Sequence, residues 1–146
     1  MTSQVKLTVT DRNGRRCVST DSPWEPVVGY SRALRAGNLI FVTGTLGLEP
    51  DGQFKPTLSD QTRRALEIII AAIEALGGKT TDVVRTRMYV TDISRWREAA
   101  EVHGEYFESI RPATTMVQIS KLIDDNAMIE IEADAVVHEE AKPFST

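Results

Sequence analysis

A chain of 146 residues, 41% hydrophobic and 26% charged, has the size and composition of one globular domain around one core. Its formal charge of −4 and pI near 5.2 oppose a general polyanion binder, and no apolar run approaches the ~20 residues that span a bilayer. A lone Cys17 excludes an intramolecular disulfide and suits a reducing compartment; with no signal pattern in MTSQVKLTVT, the expectation is a cytoplasmic protein.

In chain order, residues 3–10 alternate polar and apolar positions, DRNG at 11–14 is a turn, and 15–20 is its return strand. DSPWEP at 21–26 carries two prolines and is expected to be loop, with Trp24 as a packing anchor. Residues 30–47 read as a hairpin turning at Ala36-Gly37-Asn38, with Leu39 to Thr43 buried on both faces. Gly44 either marks a bulge or admits close approach of a ligand or a second chain.

Residues 58–76 form the clearest helix: Leu66, Ile69, Ile70, Ile73 and Leu76 recur at helical spacing, Thr57 and Asp60 have capping-box spacing, and Gly77-Gly78 end it. Residues 82–91 are a strand with Arg85, Arg87 and Tyr89 on one face. A second helix over 94–110 is expected to be capped by Ser94, with an apolar stripe of Trp96, Ala99, Ala100, His103, Phe107 and Ile110. His103 on that stripe reads as a satisfied core histidine, and Gly104 as a site of close packing. The two histidines lie far apart without ligands at metal spacing, so neither a metal nor another cofactor is expected.

Residues 113–120 and 128–137 read as two strands joined hairpin-fashion by a short polar connection. In the second, Ile129, Ile131, Ala133, Ala135 and Val137 share one face and Glu130, Glu132 and Asp134 the other. Carboxylates so spaced repel one another unless compensated, and Arg85 and Arg87 are the natural partners. The order of strands and helices is that of an α+β layer fold. Two helices cover one face of such a sheet, which leaves a regular polar face for a homo-oligomer. The expected organisation is one domain over 1–146, with an N-terminal extension 1–27, a core of about 28–137 and a tail 138–146 that is disordered or a docking arm.

Four segments in order, GYSRALRAGNLIFVTGTLG, QTRRALEII, VVRTRMYVTDI and RPATTMVQIS followed by MIEIEADAVV, resemble the RidA/YjgF family of reactive-intermediate deaminases. That resemblance implies a chorismate-mutase-like fold assembled as a homotrimer around a central barrel, with small-molecule clefts between subunits. It also implies hydrolysis of enamines and imines released by pyridoxal-phosphate enzymes, to keto acids and ammonia. Its site positions fall on Tyr30, Thr43, Gly44 and Trp96 as cleft lining, and on Glu130 as the residue that holds or activates water. The family motif Pro-Ala-Arg-Ser/Thr reads Pro112-Ala113-Thr114-Thr115 here, so Thr114 replaces the arginine that grips the substrate carboxylate bidentately.

The resemblance is therefore to an arginine-less branch, whose ligand is a metabolic intermediate other than a simple 2-imino acid. Ordinary imine deamination with Arg111 as surrogate anchor, and ligand binding or regulation without turnover, stay open. Endoribonuclease activity is disfavoured by the acidic charge. No nucleic-acid or membrane partner is expected.

Overall fold

The computed structural model describes residues 5–138, so the expected tail lies, from residue 139 onward, outside them. β1 (Thr8–Arg12) and β2 (Arg15–Ser19) pair around Asn13 and Gly14, whose φ of 51° and 77° are the left-handed pair that a tight hairpin turn demands. A short helix α1 (Trp24–Val28) stands where a loop was expected. Its prolines do not forbid it, because Pro23 precedes the helix and Pro26 sits in the first turn, where the N–H has no intrahelical partner. The buried carboxylate of Glu25 fixes the approach by accepting from the Thr20 and Ser22 amides at 3.2 and 3.1 Å.

β3 (Ala33–Ala36) and β4 (Leu39–Leu46) form the expected hairpin. β4 is not buried on both faces: Ile40 and Val42 are buried, whereas Leu39 and Phe41 are 40% and 44% exposed. Helix α2 (Leu58–Ala75) starts at the Thr57 cap, whose hydroxyl accepts from the Asp60 amide, and stops before Gly77 at φ 87°. Its buried stripe includes Leu66, Ile69 and Ile73; each such side chain contributes about 1.5–3 kcal/mol by leaving water.

β5 (Val83–Val90) is followed by a 3₁₀ turn, Ile93–Arg95, and then α3 (Trp96–Phe107). Asp92 rather than Ser94 caps this entry, accepting from the Ser94 amide and hydroxyl. A Cβ placed on Gly104 would meet nothing within 4 Å, so no close packing explains that glycine.

β6 (Ala113–Gln118) and β7 (Ile129–Val136) do not pair with each other, contrary to the hairpin expectation. The sheet order is β1-β2-β3-β4-β7-β5-β6, with β5 inserted between them and β6 parallel to β5. Parallel pairing needs a crossover, and α3 supplies it. Both long helices cover one face, where Ile129, Ile131, Ala133 and Ala135 join their apolar residues in one core. This is the α+β, chorismate-mutase-like arrangement.

Candidate functional site

The site begins with a break in strand register. β4 pairs with β7 at Val42↔Ala133 and again at Thr45↔Ile131, so β4 spends one extra residue at Thr43-Gly44. This bulge lets Val42 and Thr45 both turn inward. Gly44 then lies under the Glu130 side chain: a Cβ there would stand 2.4 Å from the Glu130 Oε1. Gly44 is therefore both bulge and close approach, and what approaches it is the carboxylate itself. The Thr43 hydroxyl donates to the Ser31 carbonyl at 2.8 Å, which ties the bulge to the segment carrying Tyr30.

Along β7 the three carboxylates diverge. Arg87 pairs within the same chain with Glu132 at 3.4 Å and Asp134 at 3.2 Å, and the Tyr89 hydroxyl donates to Glu132 at 2.9 Å. Arg85, opposite Asp134 in register, makes no ion pair among the described residues. Glu130 is left without a cation within ion-pairing distance among the described residues. Burial pushes its carboxyl above the ordinary range, the neighbouring Glu132 charge adds to this, and Arg32 pulls it partly back. A carboxyl poised upward by desolvation is better suited than an ordinary carboxylate to taking and returning a proton.

Glu130 opens into a cavity of about 670 Å³ that also carries Tyr30, Thr43, Gly44 and Trp24. Trp24, expected as a packing anchor, is thus part of the cavity lining. Its apolar wall includes Val28, Leu46, Leu48 and Ile68. Arg32, which sequence reasoning missed, is buried in the same cavity. It donates to the Gly44 carbonyl at 2.8 Å, the Thr45 hydroxyl at 3.2 Å and the Tyr30 hydroxyl at 3.3 Å, and its guanidinium lies 5.5 Å from the Tyr30 ring centre. The available signal was its spacing of two from Tyr30, which puts both side chains on one side of an extended segment.

Trp96, Arg111 and Thr114 are not brought to this cavity. Thr114 on β6 is three strands from β4, about 14 Å at the usual strand spacing of ~4.8 Å. Its hydroxyl bonds that of Thr86 at 2.8 Å, and Thr86 in turn bonds His103 Nε2 at 2.8 Å, on the helix side of the sheet. His103 is thus the satisfied, half-buried histidine expected, with its pKa lowered by burial. Arg111 follows the turn after α3 with φ 55°, exposed, its Nε donating to the Glu108 carbonyl. Trp96 is 45% exposed at the start of α3, with Arg97 stacked on it. Cys17 is buried. Among the described residues no group of three or more His, Cys, Asp or Glu is placed to hold a metal ion, and no helix is long and apolar enough to cross a membrane.

With this geometry in place, comparison with known proteins is decisive. The family model described as endoribonuclease L-PSP matches residues 20–137. The chain belongs to this family, that of the RidA/YjgF proteins. Among RidA-family structures, Rv2704 of Mycobacterium tuberculosis, described as a member of the highly conserved YjgF/YER057c/UK114 family, is 50% identical with a TM-score of 0.79. The match covers 84% of this chain and 99% of that one. RutC family protein PH0854 of Pyrococcus horikoshii is 37% identical over 83% of this chain and 97% of its own. Reactive Intermediate Deaminase A of Arabidopsis thaliana, a chloroplast protein, is 33% identical over 84% of this chain and 66% of its own. The family match begins at residue 20, so β1 and β2 both precede it.

Proposed function

We propose that this RidA-family protein is a hydrolase of the imine and enamine deaminase type, in which Glu130 activates water in the cavity beside Gly44. The substrate in this reading is a metabolic intermediate other than a simple 2-imino acid, because Thr114 offers no charge where the family anchor stands. The observation that carries it is Glu130: of three alternating carboxylates it alone lacks an arginine ion pair among the described residues, is desolvated, and opens into a cavity. Water adds to the C=N carbon as Glu130 accepts one of its protons and returns it to the nitrogen, giving a carbinolamine. The carbinolamine hydroxyl proton then passes through Glu130 to the amino nitrogen, the C–N bond breaks, and ammonia and a carbonyl compound are released. The 33% identity to Reactive Intermediate Deaminase A of Arabidopsis thaliana supports this chemistry.

The working form in this reading is a cytoplasmic homotrimer. Trp96, Arg111 and Thr114 do not line the cavity at Glu130, so in this reading the two groups of positions are brought together between copies of the chain. A nuclease reading has the family model's description behind it, but a net charge of −4 opposes it. Simple 2-imino acids remain as a second reading on one observation: Arg111 stands exposed in a left-handed conformation, which bulky residues adopt where the surroundings impose it.

The test is hydrolysis of 2-imino acids generated in situ by an amino-acid oxidase, from alanine and from larger amino acids. Acceleration is expected for larger imines and is expected to fall about 100-fold or more in Glu130→Gln. Rates equal to uncatalysed hydrolysis across the series would remove the deaminase reading. Faster turnover of the alanine-derived imine, lost in Arg111→Gln, would favour the second.

A further inference from the structure

Arginine is among the side chains least often buried without a charged partner. Cations lining the cavity are Lys6, Arg32 and Arg64. Arg64 is matched by Glu49 and Glu67, and Lys6 is exposed. Arg32 differs from both. It is 6% exposed, yet no carboxylate lies within 4 Å of it among the described residues, and every hydrogen-bond partner it has is a neutral oxygen. Those bonds engage Nη1 and Nη2 and leave Nε without an acceptor among the described residues. The contacts to Gly44, Thr45 and Tyr30 hold the guanidinium rigidly beside the bulge under Glu130. A fixed fork with a spare donor and no carboxylate in direct contact among the described residues, open to a cavity, is how a protein prepares for a planar anion.

The volume speaks to the rest of the ligand. A three-carbon acid would leave most of about 670 Å³ to water, while Leu46, Ile68 and Val28 offer an apolar wall. We infer that Arg32 is the carboxylate anchor of this cleft, taking the place of the cation missing at position 114, and that its ligand is a carboxylate bearing a large apolar substituent. This deepens the proposed hydrolase and rests on the same cavity being its site. The acid is held from the Tyr30 side, with its apolar body along α1 and α2 and its C=N carbon toward Glu130.

The test is calorimetric titration of the full-length protein with phenylpyruvate, its neutral amide, and pyruvate. Phenylpyruvate is expected to bind at least 10-fold tighter than either. In Arg32→Gln its affinity is expected to fall to that of the amide. Arg32→Lys, which keeps charge but loses the fork, is expected to fall between. Equal binding of acid and amide to the unaltered protein would overturn the inference, even if Arg32→Gln does not fold. So would acid binding that survives Arg32→Gln and vanishes in Arg111→Gln. Pyruvate binding as tightly as phenylpyruvate would overturn the apolar half of it. Turnover separates the two proposals. Arg32-dependent binding without imine hydrolysis would remove the hydrolase and leave the anchor; Glu130-dependent hydrolysis with KM unchanged in Arg32→Gln would do the reverse.

Discussion

Glu130 and Glu132 are the same residue type, two positions apart on one strand face, and their surroundings separate them. Glu132 is paired with Arg87 and Tyr89, whereas Glu130 is desolvated beside Gly44. Because the folded state holds the Glu130 proton more tightly than the unfolded chain, the stability this group contributes is present below its unfolded pKa. It is lost as pH rises through the folded value. Glu130→Gln is therefore expected to match the unaltered protein in Tm near pH 4 and to exceed it at pH 8. An ion-paired Glu130 would give the opposite sign, so thermal melts across that range decide its state. Two glycines sharpen the local picture. Gly44→Ala meets only the flexible Glu130 side chain, so it is expected to leave Tm nearly unchanged while cutting turnover by displacing the carboxylate. Gly47→Ala meets the Gln61 backbone at 2.2 Å, inside α2, and is expected to destabilise by about 3 kcal/mol or more in urea unfolding. Strand alternation made Glu130 legible in the sequence. For Arg32 the spacing from Tyr30 shows only a shared side of the segment, because its significance lies in which residues fail to surround it.

Elements were legible where local chemistry decides them. The Asn13-Gly14 hairpin, the Thr57 cap and the α2 stripe follow from turn conformations, capping and helical spacing. The β6–β7 hairpin expectation failed because two strands with a short polar connection look alike whether or not a third strand lies between them. A contrary signal was present, since strand, helix and strand over 82–120 is the pattern of a parallel crossover. Gln61 also shows what sequence hides. This buried α2 side chain donates to the Lys55 and Asn126 carbonyls at 2.9 and 3.0 Å and accepts from the Met128 amide at 2.8 Å. It thus clasps the helix to the start of β7, just before Glu130. Gln61→Ala leaves those backbone groups without partners and is expected to cost about 2–4 kcal/mol, read as a lower urea midpoint. Because β7 is then held less firmly, turnover is expected to fall as well, although Gln61 does not line the Glu130 bulge.

For the whole molecule, the sheet face away from the helices carries Phe41, Arg87, Tyr89, Glu132 and Asp134, with Phe41 opposite Asp134 in register. Phe41 and Leu39 are each 40% or more exposed there and belong to no core cluster of the single chain. A mixed apolar and ion-paired surface on a regular sheet suits burial against other copies, where Arg87 and its carboxylates enter already paired. Edge strand β6 is exposed along its length apart from the half-buried Met116, and it carries Thr114. Phe41→Glu is expected to convert the proposed trimer to monomers in native mass spectrometry at micromolar concentration. Far-ultraviolet circular dichroism is expected to be unchanged, since Phe41 is outside the core. If the cleft is completed by a neighbour's Trp96, Arg111 or Thr114, imine turnover is lost in that monomer while Glu130 and Arg32 keep their places. A Phe41→Glu protein that stays trimeric would put the interface on another face. A monomer with full turnover would mean that one chain holds the entire site, and that Thr114 has no part in it.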